Sequence, residues 1–145
     1  MRTPAAFLAA GLTTLTLAAL AAAPALSAAD AWIRATPGTD VAAAYLTLTN
    51  SGALPVTVIG VRSSVAGMAM IHETHLVGTQ SSMRPREELT LAPKETVRFA
   101  PGGLHVMLHM LTHALKPGED VTLVLLLKGG DTLDVVAHVR PLGQE

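Results

Sequence analysis

The chain has 145 residues, with 10 lysines and arginines, 11 aspartates and glutamates, a formal net charge of −1 at pH 7 and no cysteine. This charge balance excludes the strongly basic surface that is typical of nucleic-acid-binding proteins. The lack of thiols excludes disulfide exchange, thiol-based metal transfer and a blue-copper site, which needs a thiolate. The length suffices for one domain with a sizeable core.

Residues 1–29 are typical of a cleaved secretory signal peptide. Arg2 supplies a positive start, a mostly apolar stretch runs from Phe7 to Leu20, and small residues, Ser27 and Ala29, occupy the −3 and −1 positions. The apolar stretch is shorter than the roughly 20 residues that a spanning helix needs. We therefore expect cleavage after Ala29, or alternatively after Ser27, and an exported, periplasmic protein without stable membrane insertion.

Residues 30–141 predict a single all-β domain, followed by a short tail over residues 142–145. Gly129-Gly130-Asp131 separates two β-rich runs, which is a hairpin signal. Short strands at this spacing favour a β-sandwich or a Greek-key β-barrel. The predicted strands cover residues 42–49, 56–61, 87–91, 96–99, 121–128 and 132–139.

Residues 104–115, LHVMLHMLTHAL, fit two periodicities. On a helix, three histidines would form a stripe at i, i+4 and i+8. On a strand, apolar and ligand-type residues separate onto opposite faces. The apolar face would hold Leu104, Val106, Leu108 and Met110, and the other face His105, Met107 and His109. Because the strand sorts these residues more cleanly, we predict a strand to Met110 and then a loop that carries His113.

Two histidines and two methionines form a candidate metal site: His72, Met83, His105 and Met107. Thioethers are soft, neutral ligands that favour a soft monovalent metal, and imidazole binds many metals. Neither ligand suits Mg²⁺ or Ca²⁺, which prefer oxygen. Met83 lies in a polar stretch, predicted as a loop, where it has no core-type neighbour. These residues predict a surface Cu(I) site, half on strands and half on a loop.

The other histidines and methionines have plainer interpretations. His75 and His138 are interpreted as solvated or packed residues. Met68 and Met70 share the predicted face of His72 and are assigned to packing or partner contact, whereas His109 is the strongest additional ligand candidate.

Two enzyme signatures are incomplete in this chain. His72-Glu73-Thr74-His75 is one residue short of a zinc-protease motif. The sequence contains no G-x-S-x-G motif of the kind that places a hydrolase nucleophile.

The ligand residues and their surroundings resemble the PCuAC-type periplasmic copper chaperones. The likeness covers nearly all of the chain after residue 29, and the family spacing His-X10-Met-X21-His-X-Met is present without a gap. The matching segments are DAWIRA (30–35), YLTLTNSG (45–52), IHET (71–74), MR (83–84) and PGGLHVML (101–108). The resemblance implies a cupredoxin-like β-barrel and Cu(I) ligation by His72, Met83, His105 and Met107.

The resemblance also implies a carrier and not an enzyme. The protein would bind one Cu(I) and pass it to a copper acceptor. By resemblance, this acceptor is the copper centre of a respiratory haem-copper oxidase or its assembly factors. We expect the protein to act as a monomer. His109 stands where relatives often have methionine, and no His- and Met-rich tail follows residue 141. The alternatives are a copper sequestration or resistance protein and a metal-free structural β-sandwich that acts as an interaction module.

Overall fold

The computed structural model describes residues 25–144, which form ten β-strands and contain no helix. No helix in this range could therefore span a membrane. The strands are β1 (Leu26–Ala35), β2 (Ala42–Asn50), β3 (Val56–Ser63), β4 (Ala66–Val77), β5 (Gln80–Pro85), β6 (Leu89–Leu91), β7 (Thr96–Arg98), β8 (Leu104–Leu111), β9 (Asp120–Leu127) and β10 (Thr132–Arg140).

The strands pair in the order β5-β4-β8-β2-β1-β10-β9-β3-β6, and β7 pairs with β2 beyond the end of β8. β1 and β10 run parallel, and the other paired strands are antiparallel. Although β3 and β4 are far apart in this order, they lie close together in space. The sheet therefore curls around one core, and the predicted single all-β domain is confirmed.

Alternation of side chains separates the core from the outer face. On β8, Val106 and Leu108 are fully buried, and Ile71 on the adjacent β4 is only 3% exposed. The alternate residues of β8, including His105 and Met107, therefore point to the opposite face of the sheet. The core thus determines which side of β4 and β8 carries the histidines and methionines.

Several boundaries differ from the sequence-based expectation. Residues 80–85 form strand β5 and not a loop, and β6 and β7 are shorter than predicted. The strand over residues 104–110 is confirmed, and His113 follows it in a loop. Met110 does not join Leu108 on the buried face, because its φ is +53° and the residue is 52% exposed.

Strand β1 begins before the expected cleavage position. Leu26 is 2% exposed, and residues 26–29 pair with residues 47–50 of β2. The Ser51 N–H also donates to the carbonyl of Ala25 at 2.7 Å. Residues 1–24 of the expected signal peptide lie outside the described residues, and cleavage after Ala29 remains a prediction. Cleavage there would remove Leu26 from the core and four residues from the sheet.

We expect a chain that starts at Asp30 to be less stable than one that starts at Ala25. It lacks the buried Leu26 side chain, and truncation of a buried leucine to alanine alone costs about 2–5 kcal/mol. The measurement is the melting temperature of both chains by circular dichroism, with Leu26→Ala in the longer chain as the control. Equal melting temperatures for the two chains would show that residues 25–29 add nothing to the fold.

Candidate metal centre

The antiparallel pairing of β4 with β8 aligns histidines and methionines in cross-strand pairs. His72 lies opposite His105, and Met70 lies opposite Met107. One pair further along, Met68 lies opposite His109. Directly opposite residues project to the same face of a sheet, with Cβ atoms about 4.5–5.5 Å apart. Six ligand-type side chains therefore share the outer face of these two strands.

Strand β5 brings Met83 to the same face. It pairs with β4 so that Met83 lies opposite Thr74 and Pro85 opposite His72. Thr74 is two residues from His72, which makes Met83 a diagonal neighbour of His72 on the outer face. Met83 is 56% exposed. The four predicted ligands thus lie on three adjacent strands, and all four are on strands.

The two histidine rings approach each other in an edge-on arrangement. The ring centroids of His72 and His105 are 5.8 Å apart, with an interplanar angle of 79°. His105 is only 4% exposed, so this part of the face is buried, whereas the sequence predicted a site on the open surface. The metal ligands predicted from the sequence therefore range from a buried imidazole to an exposed thioether.

The carbonyl of Gly103 fixes the orientation of His105. Nδ1 of His105 lies 3.1 Å from this oxygen, and because a carbonyl only accepts, Nδ1 carries the proton. The Nε2 atom of His105 is then the atom with a lone pair. A backbone carbonyl that holds the other ring nitrogen is typical of metal-binding histidines. The sequence offered only a weak signal for this contact, in the turn Pro101-Gly102-Gly103.

Two buried nitrogen atoms lack hydrogen-bond partners among residues 25–144: Nδ1 of His72 and Nε2 of His105. An unsatisfied buried polar group costs about 1–3 kcal/mol. A metal ion bound by both lone pairs would satisfy both atoms at once. The histidine pair therefore fits a metal ligand set better than it fits a packed core.

The surroundings of His72 favour its neutral, metal-binding form. Burial lowers the pKa of His72 below its ordinary value of 6.5, and the neighbouring His105 and His109 lower it further when they are charged. A histidine must be neutral to bind a metal. The fold thus keeps the His72 lone pair available to lower pH than an exposed histidine would.

His109 lies at the margin of this cluster. Its ring centroid is 6.2 Å from that of His72. Within the described part of the chain, no group of three or more histidine, cysteine, aspartate or glutamate side chains is arranged to hold a metal ion. The cluster that the fold brings together is therefore one of mixed histidine and methionine ligands.

Comparison with known proteins places this chain in a family. Residues 26–139 match the family model described as "Putative lipoprotein LpqE-like". The chain belongs to the LpqE-like family. "Putative lipoprotein Lxx21020" of Leifsonia xyli subsp. xyli is 30% identical over 111 residues, which cover 76% of this chain and 66% of that protein. The LpqE-like chain thus spans just under two thirds of that relative.

Solved PCuAC-type structures share the fold. The Cu(I) form of DR1885 from Deinococcus radiodurans is 32% identical, with a TM-score of 0.62 over 83% of this chain and 81% of that chain. Apo-DR1885 is 28% identical, with a TM-score of 0.58 over 99% and 97%. The copper-bound PCuAC domain from PmoF2 has a TM-score of 0.67 over 83% and 96%, and at 24% identity it bears on the fold alone. The predicted PCuAC-type family and cupredoxin-like fold are confirmed.

We expect the apo-protein to lose stability as the pH falls below about 6.5, in part through His72. The pKa of His72 is lowered in the folded state, so the unfolded chain binds a proton first and acid favours unfolding. The contribution of His72 to stability is complete at pH values above the pKa of His72 in the unfolded chain, and it decreases below that pH. The measurement is the melting temperature between about pH 7.5 and about pH 5.5.

The wild type should lose more melting temperature over this range than His72→Gln. His75→Gln, on the same strand but on the opposite face, is the matched control and should not reduce the loss. If the melting temperature of His72→Gln depended on pH as strongly as that of the wild type, the contribution of His72 to the acid sensitivity would be refuted.

Proposed function

We propose that this LpqE-like protein is a copper chaperone that binds one Cu(I) through His72, Met83, His105 and Met107. The observation that carries the proposal is the pair of buried imidazole nitrogens on facing strands, which have no hydrogen-bond partner among residues 25–144 and whose ring centroids are 5.8 Å apart. The two thioethers lie on the same face of the sheet. Two neutral nitrogens and two soft sulfurs suit a soft monovalent metal better than a hard divalent ion.

The Cu(I) form of DR1885 supports this assignment. That protein was solved with Cu(I), and it shares 32% identity and the fold with this chain. Ten residues separate His72 from Met83 and twenty-one separate Met83 from His105, which is the spacing of the PCuAC-type pattern. The proposed cargo is therefore Cu(I).

The unequal exposure of the ligands suits transfer by ligand exchange. His105 is buried and held by the Gly103 carbonyl, so it is the most firmly positioned ligand. Met83 is 56% exposed on β5, which is the last strand at its end of the sheet. A partner's ligand would replace Met83 first, while the histidines still hold the ion. Because a thioether needs no proton to leave, this first step requires no acid.

The proposed setting is the periplasm, and the proposed acceptor is the copper centre of a respiratory haem-copper oxidase or its assembly factors. The role is carriage and not catalysis, because four protein ligands leave no open position on the ion for a substrate. The family is named for lipoproteins, but these 145 residues contain no cysteine to which a lipid could be attached. Export here would depend on the signal-like residues 1–29.

We expect the protein to bind one Cu(I) in competition with a chromophoric Cu(I) chelator, and Met107→Leu and Met83→Leu to weaken the affinity roughly tenfold or more, about 1.4 kcal/mol. Leucine keeps the volume but has no sulfur lone pair, and such swaps cost under about 1.5 kcal/mol of stability. Met110→Leu is the control, since Met110 lies against Gly67, outside the ligand set.

Three results would argue against the proposed site. The first is no competition by the wild type, and the second is an equal loss of affinity in Met110→Leu. The third is global unfolding of both ligand variants, which would show that these methionines serve the fold.

A further inference from the structure

The outer face of β4 and β8 carries more ligand-type side chains than the proposed Cu(I) ion uses. Three consecutive cross-strand pairs contribute to this face: His72 with His105, Met70 with Met107, and Met68 with His109. The proposed ion takes both members of the first pair, one member of the second pair and Met83 of β5. Two thioethers and one imidazole of the same face are left over, those of Met68, Met70 and His109.

The strand register keeps these three side chains within reach of one another. Met68 lies directly opposite His109, and residues in this relation have Cβ atoms about 4.5–5.5 Å apart. Met70 follows two residues after Met68, so it projects to the same face and is a diagonal neighbour of His109. Diagonal neighbours are about 7–8 Å apart, a distance that long side chains can bridge. The two sulfurs and one ring nitrogen can therefore converge on a single ion.

The imidazole of His109 is available for a metal, unlike those of the histidines outside this face. Each of those three histidines has a carboxylate oxygen within 3.6 Å: His75, His113 and His138. Among residues 25–144, the side chain of His109 makes neither a hydrogen bond nor an ion pair. No other group in this range therefore occupies its ring nitrogens.

The exposure of Met68 fits a ligand better than it fits packing, to which the sequence assigned this residue. Met68 is 45% exposed, whereas Ile71 of the same strand is 3% exposed. A single exposed apolar side chain is common and needs no explanation by itself. Met68, however, lies opposite an imidazole, with a second thioether on the same face. Two soft, neutral sulfurs and one nitrogen form a donor set that suits a soft monovalent ion.

The two ligand sets occupy different positions along the strands. His72 and Met68 are four residues apart on β4, which is roughly 13 Å between their Cα atoms. Two ions can therefore bind without competing for the same space. The ring of His109 leans toward the first set, because its centroid is 6.2 Å from that of His72. His109 is thus the residue that lies between the two sets.

We propose that Met68, Met70 and His109 bind a second Cu(I) ion, more weakly than the four-ligand site binds the first. The inference goes beyond the proposed function and uses none of its four ligands. Three ligands hold an ion less firmly than four, and the exposed thioether of Met68 is open to competing chelators. Two cations on one face also repel each other. The protein thus has a capacity of two copper ions, and the second is the more labile.

The test is an anaerobic titration of the apo-protein with Cu(I), followed by NMR of methionine methyl groups labelled with carbon-13. The first equivalent should shift the methyl signals of Met83 and Met107. The second equivalent should shift those of Met68 and Met70, together with the ring signals of His109. Because this experiment uses the wild type, its result does not depend on the folding of any variant.

Substitutions test the same ligands by competition with a chromophoric Cu(I) chelator. Met68→Leu and His109→Gln should each weaken binding of the second ion about tenfold or more and leave the affinity for the first ion unchanged. Leucine keeps the volume of methionine without its sulfur, so Met68→Leu should keep its melting temperature. The matched controls are Met110→Leu, outside both ligand sets, and His75→Gln, on the opposite face of β4. Neither should change the affinity for either ion.

Three results would overturn the second site. The first is saturation of the wild type after one equivalent of Cu(I). The second is a response of His113 or His138 to the second equivalent in place of the two methionines, which would mean adventitious binding. The third is a loss of affinity for the first ion in His109→Gln, which would assign His109 to the four-ligand site.

The order of the methyl shifts separates this inference from the proposed function. Shifts of Met83 and Met107 with no second binding event would refute the second site alone. Shifts of Met68 and Met70 at the first equivalent, without those of Met83 and Met107, would refute the proposed four-ligand site. They would leave Met68, Met70 and His109 as the copper ligands.

Discussion

The register of β4 against β8 determines whether a metal centre can form, because it places His72 directly opposite His105. A slip of one residue would turn every side chain on β4 to the other face. Burial of Ile71 and Val106 on the core side resists such a slip, since it would expose apolar surface worth about 25 cal/mol per Å². The hydrophobic core thus aligns the candidate ligands His72 and His105, although neither Ile71 nor Val106 would touch the ion.

The proposed metal centre carries a cost that the rest of the domain offsets. Two buried imidazole nitrogens have no hydrogen-bond partner in the described part of the chain, which destabilises the apo-protein, and a purely structural core would not retain them. The Gly103 carbonyl fixes one ring, and burial lowers the pKa of the other. Both effects keep lone pairs ready for a metal and reduce the reorganisation that binding requires. In the proposed function, the exposed Met83 at the sheet edge would give the ion a route out.

Sequence patterns predicted β2, β3, the strands from β6 to β10 and the ligand spacing, but they gave no range for β1 or β4 and they missed β5, where burial gives no signal. All six residues of β5 are exposed, so backbone pairing with β4 defines this strand and no apolar alternation reveals it. Met110 departs from its strand pattern through a positive φ, which periodicity does not encode. Residues 27–29 have the small side chains of a cleavage region, yet they pair with β2 as part of β1. The Arg34 and Arg140 pairing depends on a parallel contact between distant segments, beyond the reach of local patterns.

The central claim is that histidine and methionine side chains from three adjacent strands bind the same copper ion. X-ray absorption spectroscopy of the protein loaded with one equivalent of Cu(I) tests it most directly, because sulfur and nitrogen neighbours of copper scatter differently. The account predicts two imidazole nitrogens and two thioether sulfurs around the ion, with one sulfur lost in Met107→Leu. A copper shell that contains only nitrogen and oxygen, or a sulfur signal that is unchanged in that variant, would contradict it.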